Sequence, residues 1–130
     1  MLEDRIEKIE KPGFLLFVVD LRDLDEEEIL YLFKESTRMA HEMGQTYGTI
    51  YNTEQGIPTP KIRQLGKRLT EESEKKGFYI GSAIYGVNVF IEMVARLASK
   101  KVQFGKDKED CIKILTEMFE GERPNYLSKN

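Results

Sequence analysis

Hydrophobic positions along this chain switch repeatedly between a strand-like and a helix-like spacing, and the switches delimit its elements. Phe14–Leu21 (FLLFVVDL) is a nearly continuous apolar run rich in β-formers, the pattern of a strand buried on both faces. Asp25 then opens a helix: its carboxylate suits the free N–H groups there, and Glu26, Glu27 and Glu28 suit the positive helix end. The apolar residues Ile29, Leu32, Phe33, Ala40 and Met43 follow mostly at steps of three and four, and Gly44 supplies a left-handed stop. Tyr47–Asn52 (YGTIYN) predicts a second strand. Thr59-Pro60 predicts the next helix, with Thr as cap and Pro at the first helical position, where no hydrogen bond is lost. Ile62, Leu65 and Leu69 point that helix inward, and Gly77 ends it.

The stretch FYIGSAIYGVNVFIEMVARLASKKVQFGKDKEDCIKILTEMF, from Phe78 to Phe119, predicts strand, Gly turn, helix, strand, turn and helix. Phe78–Tyr85 is the strand, with Gly81, Ser82 and Ala83 small enough for close helix approach. Asn88 caps a helix over Val89–Ser99. Val102–Phe104 is a short strand, and Lys108–Phe119 a helix with Cys111, Ile112, Leu115, Met118 and Phe119 on its apolar side. Residues 1–12 stay open: Leu2, Ile6 and Ile9 fit a helix, while RIEKIE before the turn pair Pro12-Gly13 fits an edge strand of a hairpin. Residues 121–130 read as a loose polar tail. Strands alternating with helices over short connections predict a single α/β domain over residues 1–120, with a largely parallel sheet of four to five strands.

At this point the order of parts resembles the STAS-like domains, the SpoIIAA-like fold of anti-sigma-factor antagonists and their uncharacterised relatives. The likeness runs from about Phe14 to Phe119. It rests on the strand ending in Asp (LLFVVDLRDL), the acidic-start helix (DEEEILYLF), and the closing pattern SAIYGVNVFIEMVARLASKKVQFGKDKEDCIKIL. The resemblance implies about four turns of a β-α superhelix and regulation through protein–protein contact in place of catalysis. Regulatory members carry a phosphorylatable Ser or Thr in an Asp-Ser-Ser/Thr-Gly type loop. This chain has Asn52-Thr53-Glu54-Gln55-Gly56-Ile57-Pro58-Thr59 there instead, so Thr59 and Thr53 match the phosphoacceptor by order alone.

Composition narrows the field further. The 130 residues suffice to bury roughly two-thirds of the unfolded surface. A charged fraction of 33% and an aromatic fraction of 10% belong to a folded globular chain. The net charge of −3 argues against sequence-independent binding of nucleic acid. The longest apolar run is Phe14–Val19, far short of the ~20 residues a membrane-spanning helix needs. The charged start MLEDRIEKIE argues against a secretory signal, and a lone Cys fits a reducing cytoplasm.

Parallel sheets collect ligand-binding residues at the carboxyl ends of their strands. That edge should gather Asp20, Arg22, Asn52, Thr53, Glu54, Thr59, Gly86, Asn88 and Lys106. Helix starts at Thr59 and Asn88 could hold an anion, or the two side chains could simply be caps. Asp20 and Asp23 with Arg22 could form an acid/base cluster, or Asp20 could close a turn through its own side chain. Lys61, Arg63, Lys67 and Arg68 make the outer face of their helix basic, fit for an acidic partner or for solvent. His41, the only histidine, reads as a surface group at a helix carboxyl end, and Cys111 as buried packing.

The expected function is thus a non-catalytic regulatory or protein-interaction domain that needs no cofactor or metal. Its partner surface would comprise Asn52, Thr53, Glu54, Ile57, Thr59, Lys61, Arg63 and Asn88, and a homodimer is open. The alternative is a binding module for a small apolar or anionic ligand in the strand-end cleft. An enzyme would require Asp20, Arg22 and Asn52 to converge around a pocket.

Overall fold

The computed structural model describes residues 2–53, 59–86 and 102–121. After a 3₁₀ turn at Leu2–Arg5 come β1 (Ile6–Lys11), β2 (Phe14–Asp20), α1 (Glu26–Met43), β3 (Tyr47–Asn52), α2 (Pro60–Lys76), β4 (Tyr79–Tyr85), β5 (Val102–Phe104) and α3 (Lys108–Glu120). The fold is α/β, and the five strands stand in chain order, β1-β2-β3-β4-β5. β1 runs antiparallel to β2, and the remaining pairs are parallel.

The open question over residues 1–12 resolves toward the hairpin. Proline presets the first turn position and Gly13 adopts φ 88°, the left-handed conformation that this two-residue turn requires. α1 starts in a reciprocal box: Asp25 accepts from the Glu28 N–H at 2.9 Å, and Glu28 accepts from the Asp25 N–H at 3.0 Å. Gly44 and Gly77 end α1 and α2 in left-handed geometry, as their positions predict.

β2 is buried on both faces, as its unbroken apolar run requires. Phe14, Leu16 and Val18 meet Ile50, Ile80, Ala83 and the α3 residues Cys111, Ile114, Leu115 and Met118. Leu15, Phe17 and Val19 face the other way, toward Leu32 and Ala40 of α1. α1 and α2 are crossover helices between parallel strands. No described strand follows α3, which covers the opposite face.

Several details differ from the sequence reading. Phe78 lies outside β4 and is 42% exposed. A register shift follows, with Tyr79 opposite Tyr47 but Gly81 opposite Gly48, and it places Ile80 in the α3 core. Ile114, omitted from the predicted apolar stripe, is buried: three residues after Cys111 and four before Met118, it shares their helix face against the sheet. Phe119 is half-exposed yet stacks on Phe14 with ring centroids 4.4 Å apart. Gly121, read as the start of the tail, is the left-handed stop of α3. The predicted helix over Val89–Ser99 and the rest of the tail, 122–130, lie outside the described residues. No helix among the described residues is long and apolar enough to cross a membrane.

Candidate functional site

The register of the central strands aligns Asp20 with Asn52 and Asn52 with Tyr85, so the carboxyl ends of β2, β3 and β4 finish level. Backbone bonds extend the alignment: Leu21 N–H donates to Asn52 O at 2.9 Å, and Thr53 N–H to Tyr85 O at 3.2 Å. The Thr53 hydroxyl donates to the same carbonyl at 3.3 Å. Asn52 is buried.

Asp20 closes a turn through its own side chain. It accepts from the Arg22 N–H at 3.1 Å, from Arg22 Nε at 2.9 Å and from Arg22 Nη2 at 3.0 Å. Arg5 approaches to 3.7 Å and donates to the Arg22 carbonyl at 2.8 Å. The Arg22 guanidinium bonded to it holds the Asp20 carboxyl below the usual carboxylate range. Asp20 is therefore a fixed anion engaged in a fork with its neighbour, and of the two readings of Asp20, Asp23 and Arg22 the structure shows the turn. Asp23 supplies its left-handed residue, φ 59°.

The starts of α1 and α2 lie at the same end of the sheet, because each follows a parallel strand. Thr59 joins them: its hydroxyl accepts from the Ile62 N–H at 3.3 Å and donates to the Glu26 carboxylate. Beside it Lys61 stands 3.9 Å from Glu27. Lys61, Arg63, Lys67 and Arg68 are all exposed, and the first turn of α2 holds no acidic residue. On the far side of the sheet, Lys106 donates its N–H to Asp110 at 2.9 Å. Glu54, Ile57 and Asn88, also predicted for this surface, lie outside the described residues.

Sequence reasoning missed a second polar cluster. His41 is not a simple surface group: Nε2 lies 3.0 Å from Ser73 Oγ and 3.4 Å from the Tyr47 hydroxyl. Tyr47 donates to Ser73 at 2.6 Å, and the Ser73 hydroxyl shares a further hydrogen bond with His41 Nε2. Burial, followed by the nearby Lys76 charge, lowers the His41 pKa below its usual value. Burial pushes the Tyr47 phenol up to about 12, so it stays protonated. One turn further into the same layer, Thr49 and Ser82 share a hydrogen bond of 2.9 Å, and Tyr79 bonds to Ser82. The signal was present in the pattern. Tyr47, Thr49 and Tyr51 share one strand face at period two, and Ser73 continues the Ile62–Leu65–Leu69 stripe into the core.

With Ser73 only 3% exposed, this chain of hydroxyls joins α1, α2 and β3 and offers no accessible nucleophile. His41 also lines an open groove of about 380 Å³ with Lys34, Thr37, Arg38, Glu42, Leu69 and Glu72. A second groove, about 310 Å³, lies between β1 and α1, lined by Lys8, Phe17, Met39, Glu42 and Met43. Neither groove reaches the strand-end edge. Cys111 is fully buried, and its thiol is pushed up to about 12 by burial, next by the Asp110 charge. No cluster of three or more His, Cys, Asp or Glu suited to a metal ion occurs among the described residues. The chain matches no protein-family model and no curated protein.

Proposed function

We propose that this chain is a non-catalytic, cytoplasmic interaction domain of the STAS-like kind. It engages an acidic partner protein through the first turns of α2 and the adjoining residues from Thr53 to Thr59. The observation that carries this reading is a charge placement that works against helix stability. Helix N-termini favour acidic side chains, as α1 shows with Glu26, Glu27 and Glu28. α2 does the reverse: Lys61 and Arg63 are exposed in its first turn, where they add to the positive end of the helix, and Lys67 and Arg68 continue the exposed basic face beyond it. Such a surface attracts anionic groups and steers their approach. The carboxylate and hydroxyls at this edge support a docking role over catalysis. Asp20, Thr53 and Thr59 each already hold an internal hydrogen bond.

Thr53 and Thr59 remain the positions for a phosphate switch. A phosphate on Thr59 would face the Glu26 carboxylate and remove the cap of α2, separating the two helix starts. The test is affinity capture from the source cell with the natural chain and with a Lys61→Glu/Arg63→Glu variant of unchanged melting temperature. Loss of a captured protein from the variant, and weaker capture at higher salt, is the expected result. Retention of every captured protein removes this surface from consideration.

A further inference from the structure

The outer edge of β1 carries a charge pattern that selects one partner. Among the described residues β1 ends the sheet, with β2 on one side only. The two-residue turn Pro12-Gly13 makes Lys11 and Phe14 the first hydrogen-bonded pair of the hairpin. Alternation from that pair turns the backbone N–H and C=O of Lys11, Ile9 and Glu7 toward β2, and those of Ile6, Lys8 and Glu10 outward. The Leu15 N–H, which donates to Thr46 O at 2.9 Å on the opposite side of β2, fixes the same alternation independently. Glu7, Lys8 and Glu10 are exposed.

We propose that a second copy of this chain adds antiparallel to β1 along this edge, in the register that sets Ile9 opposite Ile9 of the copy. The outward backbone groups admit only registers in which Ile6, Lys8 and Glu10 face one another. Centring the pair on Glu7, Lys8, Glu10 or Lys11 places that residue against its own like charge, which is unfavourable across strands. Centring it on Ile6 also avoids this but pairs that residue alone, because the strand begins there and Arg5 lies in the 3₁₀ turn. Centring it on Ile9 avoids like charges and pairs Glu7 through Lys11. Lys8 then faces Glu10 of the copy, Glu7 faces Lys11, and Ile9 meets Ile9 on the two-fold axis. The Lys8–Glu10 pairs each exchange main-chain hydrogen bonds, so the two sheets continue as one.

Charged edge strands ordinarily block pairing with other chains. Here the order of signs, together with the start of the strand at Ile6, leaves one extended register. Lys8 and Glu10 lie on one sheet face, 3.7 Å apart within the strand, so neither must be buried to pair across the axis. Because β1 is remote from the exposed face of α2, this assembly stands apart from the partner surface proposed above, and each can fail without the other.

Sedimentation velocity of the full chain over a concentration series tests the proposal. The natural chain is expected to dimerise. Lys8→Pro, which leaves the hairpin intact because the Lys8 N–H points outward, should leave a monomer. Lys8→Glu or Glu10→Lys alone should weaken the dimer about tenfold or more by opposing like charges at two symmetric positions. The double exchange, Lys8→Glu with Glu10→Lys, should restore it to within about threefold. A natural chain that stays monomeric, or a dimer indifferent to Lys8→Pro, overturns the proposal. A monomer whose Lys8 and Glu10 amides exchange slowly overturns it too, since another segment of the same chain then fills the edge. Failure of the double exchange to rescue overturns the register.

Discussion

The two faces of the sheet are built on different principles. Against α3 the core is almost wholly apolar: Phe14, Leu16, Val18, Ile50, Ile80 and Ala83 meet Cys111, Ile114, Leu115 and Met118. Toward α1 and α2 an apolar floor under β2 gives way to hydroxyls, with Tyr47 bonded to Ser73, and Thr49 and Tyr79 to Ser82. The first face is held by packing, which tolerates small shifts of direction but not loss of volume. The second is held by directional bonds, which fix how α2 sits and so where Lys61 and Arg63 point. The surface proposed to meet a partner stands on the helix with the more directional attachment.

Substitutions on each face should separate the two modes. The largest effect is expected at Leu115, fully buried at the centre of the α3 face. Leu115→Ala should cost about 2–5 kcal/mol in chemical denaturation through lost burial and the cavity left behind. Next is Gly105→Ala. A Cβ there would come within 2.8 Å of Cys111 Sγ and 3.1 Å of the Cys111 amide, so α3 must shift, at a cost of roughly 1–3 kcal/mol. On the other face, Tyr47→Phe removes one donor but leaves Ser73 bonded to His41. A loss of about 1 kcal/mol is expected, and adding Ser73→Ala should cost less than the sum of the single changes.

The smallest effect should be a pH dependence confined to the hydroxyl face. His41 has a folded-state pKa below its ordinary 6.5, so the unfolded chain binds more protons in between. Stability from this group is complete above pH 6.5 and declines as pH falls through that value toward the folded pKa. His41→Gln should flatten this part of the melting-temperature profile between neutral and mildly acid pH, while Leu115→Ala should leave its shape unchanged. A steeper profile in His41→Gln would mean that the titrating group lies elsewhere.

Much of this architecture was legible in local pattern. Tyr47–Asn52 and Val102–Phe104 stand where their β-forming runs placed them, and Asp25, Gly44, Thr59 and Gly77 delimit their helices by cap chemistry alone. These features depend on neighbours in sequence. What depended on distant residues was hidden. Ser73 and His41 look like ordinary polar helix positions until folding brings them to Tyr47, which lies 26 residues from Ser73. Ile80 reaches the α3 core through a register shift set jointly by β3 and β4. Of the strand-end edge, the level finish of Asp20, Asn52 and Tyr85 followed from strand direction. That Arg22 occupies the Asp20 carboxylate, and Glu26 the Thr59 hydroxyl, required side-chain geometry.

The stacking of Phe119 on Phe14, with Lys108 reaching Glu7 at 2.8 Å, has a consequence for biosynthesis. Strands in chain order let β1 through β4 and their crossover helices assemble progressively as the polypeptide leaves the ribosome. Among the described residues the α3 side of β2 is covered by α3 itself, so Phe14, Leu16 and Val18 wait for Cys111, Ile114, Leu115 and Met118 to emerge before their packing is complete. A nascent-chain chaperone would find its target there, and release would wait for α3.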